Sequence, residues 1–161
     1  AEMALRKAQL GLVALFAVPG VPMIYSGQEF GEDTPRTIDF CPINWEKLKR
    51  TVHHQHYDLV CRLIMVRRNY QALRSDNINF ESDDFVHEQT VRLRRWDENG
   101  TTVLAALNFS EATRTVTLDF PSAGVWRDVV GDRAHELNVG NNQFELQPWQ
   151  GLLLIPIYLR Q

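Results

Sequence analysis

The stretch "SGQEFGED", Ser26 to Asp33, carries Gln28, Glu29, Glu32 and Asp33, with Arg36 and Asp39 just beyond. Two carboxyl groups about 5–5.5 Å apart can act as nucleophile and general acid in a retaining two-step displacement. Glu29 with any of its acidic neighbours could supply such a pair. Equally, Glu29 could be a buried pocket-wall residue that orders its loop. The guanidinium of Arg36 could hold a hydroxyl or pair with a carboxylate, or it could be a solvated loop arginine; both stay open.

Three other groups invite chemistry. His53, His54 and His56 suggest a metal cluster. Only 53 and 56 share a helical face, and no carboxylate or thiol completes a four-ligand set, so solvated histidines at a helix start are expected and no metal site. Trp96, Trp126, Trp149 and Tyr158 could form a stacking platform for sugar rings, but aromatics also fill ordinary sandwich cores. The run "RLRRW", Arg92 to Trp96, reads as a solvated strand face. Cys41 and Cys61 match no metal spacing; they could form one disulfide, although free thiols are expected in a chain with no other oxidising signature. No cofactor motif is evident.

The elements that must position these residues fall into two kinds. Ala1 to Val18 is rich in helix formers, with Leu5, Ala8, Leu12, Leu15 and Phe16 at helical spacing. Its second half, "GLVALFAV", is apolar all round, as in a helix buried on more than one face. Pro19 and Gly20 should stop it. "VPMIYS", Val21 to Ser26, reads as a strand buried on both faces of a parallel sheet. An irregular loop follows to Asn44. A helix is predicted from Trp45 to Leu73, on a stripe of His56, Leu59, Val60, Leu63, Ile64, Arg67, Tyr70 and Leu73.

Beyond Ile78 the pattern alternates. Val91, Leu93 and Arg95 oppose Arg92, Arg94 and Trp96, and "DENG" marks a hairpin. "TVLAALNF" reads as a central strand, and "TVTLDF" alternates cleanly. "VWRDVV", "HELNV", "QFELQ" and "GLLLIPI" follow, separated by turn signals. About seven short strands at this spacing predict a β-sandwich or barrel. The chain thus divides into an α/β part, 1–75, and an all-β part, 76–161.

The totals exclude some partners. Hydrophobic residues make up 44% and charged residues 23%, a globular balance. A net charge of −3 gives no reason to expect nucleic acid or an anionic membrane. No apolar run approaches the ~18 residues of a membrane helix. "AEMALRKAQLGL" reads as the middle of a helix, as though cut from a longer protein, so the lack of a signal peptide says little about compartment. The free thiols lean towards the cytoplasm.

The order of segments resembles the carboxy-terminal portion of the α-amylase superfamily of glycoside hydrolases and transferases. There a (β/α)8 barrel is followed by a Greek-key β-sandwich, domain C. The family's "PGxPxIYxGxE" is matched by Pro19, Gly20, Pro22, Ile24, Tyr25, Gly27 and Glu29. Arg36 and "PINW", Pro42 to Trp45, are similar to its arginine and Pro-x-x-Trp element. "LIMVRRNYQAL" is similar to its last barrel helix, and "VLAALNFS" to a domain C strand.

The resemblance implies a retaining α-glucan hydrolase. A glucanotransferase or branching enzyme is its alternative, and a stand-alone carbohydrate-binding module is the alternative from another class. The family's catalytic trio follows earlier barrel strands, so the resemblance leaves no catalytic residue in this chain and none of the activity when it stands alone. Gln28, Glu29 and Arg36 become the wall of a substrate pocket. Residues 1–44 are expected to be the weak part, missing the N-terminal portion of the barrel and open to self-association. The β part is expected to hold its own core from Val91, Leu93, Val103, Ala105, Leu107, Val116, Leu118, Phe120, Leu146 and Leu152.

Overall fold

The computed structural model describes residues 2–35, 38, 41–81 and 85–157. Helix α1, Glu2–Ala17, buries Leu10, Leu12, Val13, Phe16 and Ala17. Its apolar second half therefore does lie between neighbours, packed on a second helix and on the sheet. The negative end of the helix dipole meets two buried guanidiniums. Arg67 donates to the carbonyls of Phe16 at 2.7 Å, Val18 at 3.0 Å and Gly20. Arg95 donates to Ala17 at 2.5 Å, Asn77 at 2.9 Å, and to Leu73 and Ser75.

The helix expected over 45–73 is three pieces: a 3-10 turn Trp45–Lys49, helix α2 Thr51–Asn69 and a 3-10 turn Gln71–Leu73. Extended backbone at Arg50 and Tyr70 separates them. The buried stripe of α2 is His53, His56, Leu59, Val60, Leu63 and Arg67, at the three- and four-residue spacing of one helical face.

Eight strands follow: β1 Ile78–Glu81, β2 Thr90–Trp96, β3 Thr102–Asn108, β4 Arg114–Phe120, β5 Gly124–Asp128, β6 Arg133–Leu137, β7 Gly140–Leu146 and β8 Gly151–Pro156. They build a six-stranded antiparallel sheet, ordered β1-β2-β3-β8-β5-β6, and a two-stranded sheet, β4-β7. A four-residue helical turn, Phe85–Glu88, precedes β2. The all-β expectation holds, and "TVLAALNF" is central, with β2 on one side and β8 on the other.

The layers are helices, large sheet, small sheet. Leu104, Ala106, Leu152, Leu154 and Trp126 face Val116, Leu118, Phe120 and Leu146 of the small sheet. The opposite face, with Leu93, Val103, Ala105, Leu107, Leu153 and Ile155, packs against Leu10, Val13, Phe16, Leu59 and Leu63. β3 and β8 are thus buried along their whole length. This corrects the expectation of a private β core. Val91, Leu93, Val103, Ala105 and Leu107 belong to the face that the helices cover. Gly151 marks how close the layers come, since a Cβ there would stand 3.0 Å from Val13.

Two further expectations are corrected. "VPMIYS" forms no strand, and among the described residues no strand lies beside it to complete a ladder. Its burial keeps strand periodicity: Ile24 packs on the core, while Val21 is 94% exposed and Met23 85% exposed. "RLRRW" is not a solvated face. Arg95 is fully buried under α1, and Arg92 and Arg94 reach across to β4, donating to the carbonyls of Thr117 at 3.0 Å and Asp119 at 2.8 Å. No described helix is long and apolar enough to cross a membrane.

Candidate functional site

The chain leaves "VPMIYS" through Gly27 at φ 94°, makes one 3-10 turn, Gln28–Phe30, and exits through Gly31 at φ 72°. Both glycines are in the left-handed region, where a side chain would be strained. Phe30 is fully buried, its ring 5.2 Å from that of Trp45. That anchor leaves Gln28 at the surface and Glu29 partly covered. Gln28 is exposed, and its Oε1 accepts from the backbone N–H of Tyr25 at 2.7 Å. Glu29 is half-buried, and its Oε2 accepts from the N–H of Gly27 at 2.7 Å. The carboxylate thus orders its own loop.

Helix α2 grips the turn from below. His53 Nδ1 donates to the Phe30 carbonyl at 2.8 Å, and His56 Nε2 donates to the Gln28 carbonyl at 2.9 Å. These two rings are buried, not solvated as expected at a helix start. They could be reached from below because the turn lies directly over the first turns of α2. His54, one residue off that face, is exposed, 3.7 Å from Asp58. Among the described residues no cluster has the composition to hold a metal.

Glu32, which no motif singles out, holds the loop's far side. Its side chain is 2% exposed. It accepts from the N–H groups of Thr34 at 2.8 Å and Asn44 at 2.7 Å, and from Lys47 Nζ at 2.8 Å. Burial pushes its pKa up, but the bonds from Lys47, Thr34 and Asn44 outweigh this and hold it at about 2. Asp33 also pairs with Lys47, whose hydrogen bond lowers its pKa. The signal available in sequence was only the fifteen-residue reach from Glu32 to Lys47, which no local pattern encodes.

Gln28, Glu32, Asp33 and His53 line a groove of about 480 Å³ whose floor is Leu5 and Ala8 of α1. Arg36 lies outside the described residues, as do Asp39 and Tyr158. Of the other aromatics considered for stacking, Trp96 is half-buried in β2. Trp126 is core, edge-on to Phe120 at 4.8 Å, and Trp149 is half-buried with Lys7 Nζ 4.0 Å above its ring. Cys41 and Cys61 are both free thiols.

No protein-family model matches the chain. It is 29% identical over 153 residues to the 1,4-alpha-glucan branching enzyme GlgB of Leifsonia xyli subsp. xyli, covering 87% of this chain and 21% of that protein. It is 30% identical over 135 residues to alpha-amylase MalA of Haloarcula japonica, covering 78% and 19%. It superposes on the crystal structure of AmyP in complex with maltose with a TM-score of 0.71 at 16% identity, covering 94% of this chain and 34% of that one. The chain spans about a fifth of the length of the curated relatives it matches.

Proposed function

Because this chain belongs to the α-amylase superfamily, as a helical part followed by an all-β domain, we propose that its helical part is the end of the barrel of a retaining α-glucan-cleaving enzyme and forms a wall of the substrate cleft. The wall is the loop Gln28–Asp33, with Arg36 beyond it. The catalytic carboxylates are supplied by other parts of the enzyme. The outcome of cleavage is hydrolysis, with transfer to a second glucan as the runner-up favoured by the branching-enzyme relative.

One observation carries this reading: every carboxylate of the loop is engaged in holding the loop. A general acid must be protonated at working pH, which calls for a raised pKa. Glu32 is held at about 2 and Asp33 is lowered. Glu29 is turned back onto Gly27. Such residues shape and charge a cleft without protonating a leaving group. The exposed run Val21, Met23 and Tyr25 is where the rest of a barrel, or a second copy of the chain, would pair. A stand-alone sugar-binding module is the alternative; of its proposed aromatics, Trp126 is buried in the core.

The test is a titration of the labelled chain with maltoheptaose, followed at backbone amides. Shifts centred on Gln28 and Glu29 are expected. Shifts confined to the β-sandwich would replace the cleft wall with the binding-module alternative.

A further inference from the structure

We propose that His53 and His56 are positioning residues that fix the carbonyl directions of the Gln28–Phe30 turn through opposite ring tautomers, His53 carrying its proton on Nδ1 and His56 on Nε2. At its ends the turn is held from within, by Gln28 N–H to Tyr25 and Glu32 N–H to Gly27, both at 2.8 Å, but its inner bonds, Phe30 N–H to Gly27 at 3.3 Å and Gly31 N–H to Gln28 at 3.2 Å, are longer than the two from the histidines. It is hinged at both ends by left-handed glycines, which resist rotation least.

The partners dictate the tautomers. A backbone carbonyl only accepts, so the ring nitrogen facing it must carry the proton. For His53 that nitrogen is Nδ1, and for His56 it is Nε2. The other nitrogen of His56, Nδ1, is buried without a partner. A proton there would be a buried donor with nothing to bond, which is costly. Burial also lowers the pKa of His56, against the opposing pull of the Gln28 carbonyl, and keeps the ring neutral.

The two rings lie three residues apart on one face of α2 and meet carbonyls two residues apart in the turn. The helix thus fixes the backbone of the turn through its carbonyls, while the side chains of Gln28 and Glu29 bond within the loop. Their use against a glucan rests on the cleft-wall function proposed above; the clamp itself does not.

Side-chain amides separate the two tautomers. Asparagine places an N–H₂ near the position of Nδ1, and glutamine places one near that of Nε2. His53→Asn and His56→Gln should keep the clamp; His53→Gln and His56→Asn should lose it. In the matched pair, amide exchange at Phe30 and Gly31 should stay near that of the unmodified chain. In the mismatched pair it should quicken on the order of tenfold, the worth of one hydrogen bond. Equal loss in both pairs would mean that the rings merely fill space, and would overturn the proposal.

Imidazole ¹⁵N spectra of the unmodified chain give a second decision that needs no variant. An Nδ1–H ring for His53 and an Nε2–H ring for His56 are expected; either ring in the other form overturns the clamp. A chain that passes both tests yet shows no maltoheptaose shift at Gln28 keeps the clamp and loses the glucan cleft.

Discussion

Lys47 Nζ lies 2.8 Å from Glu32 Oε1, across a side chain that is only 2% exposed. The pair ties the loop after the 3-10 turn to the segment that leads into α2. Its pH dependence has a defined sign. The folded pKa of Glu32, about 2, is below its ordinary 4.5. Its stabilisation is therefore complete above pH 4.5 and is lost as pH falls from 4.5 towards 2. Amide exchange at Thr34 and Asn44, corrected for intrinsic rate, should accelerate through that window. Glu32→Gln should exchange faster already at neutral pH and lose the acid step. An unchanged acid step in the variant would assign it to another group.

Arg95→Ala should destabilise the chain by about 3 kcal/mol, as expected when a buried charged donor is deleted and its partners stay unpaired. Four carbonyls, of Ala17, Leu73, Ser75 and Asn77, lose their donor. Urea unfolding measures it. A loss under about 1 kcal/mol, the level of a typical surface change, would mean that water replaces the guanidinium.

Gly151→Ala should cost about 1–3 kcal/mol, the usual range for overpacking, because the new Cβ meets Val13 at 3.0 Å. Adding Val13→Ala should recover part of the loss by opening that space. If the double variant is simply the sum of the two single ones, the helix and sheet are not in register as described.

A chain begun at Ser75 should lack a sharp thermal transition. Without the helices, Leu93, Val103, Leu107, Leu153 and Ile155 lose their cover. At about 1.5–3 kcal/mol for each large apolar side chain, the loss matches the whole stability of an ordinary domain. A cooperative melt close to that of the full chain would restore 75/76 as a true domain boundary and a self-sufficient core for the β part.

These cases also mark what the sequence could tell. The strands were legible where continuous apolar runs or clean alternation left one choice, as in "TVLAALNF" and "TVTLDF". "GQEFGE" marks the loop as a candidate, but the side chains that hold it, Lys47, His53 and His56, lie outside that stretch. The burial of Arg95 is not legible, because charge suggests solvent and nothing local announces that a helix end will bring carbonyls to it. The same holds for His53 and His56, whose partners are 23 and 28 residues away. "VPMIYS" carries the composition of a buried strand, but a strand is completed by a neighbouring strand, and among the described residues none pairs with it.

Glu29, Glu32 and Asp33 all hold the loop in place, so the purified chain should release no reducing ends from soluble starch and no nitrophenol from a nitrophenyl maltoside. That result is expected across the pH range in which the chain stays folded. Turnover within about a hundredfold of a typical α-amylase, where working enzymes turn over at roughly 1–10³ s⁻¹, would contradict it. If Glu29→Gln or Glu32→Gln then abolished that turnover, a catalytic pair would lie in this loop after all.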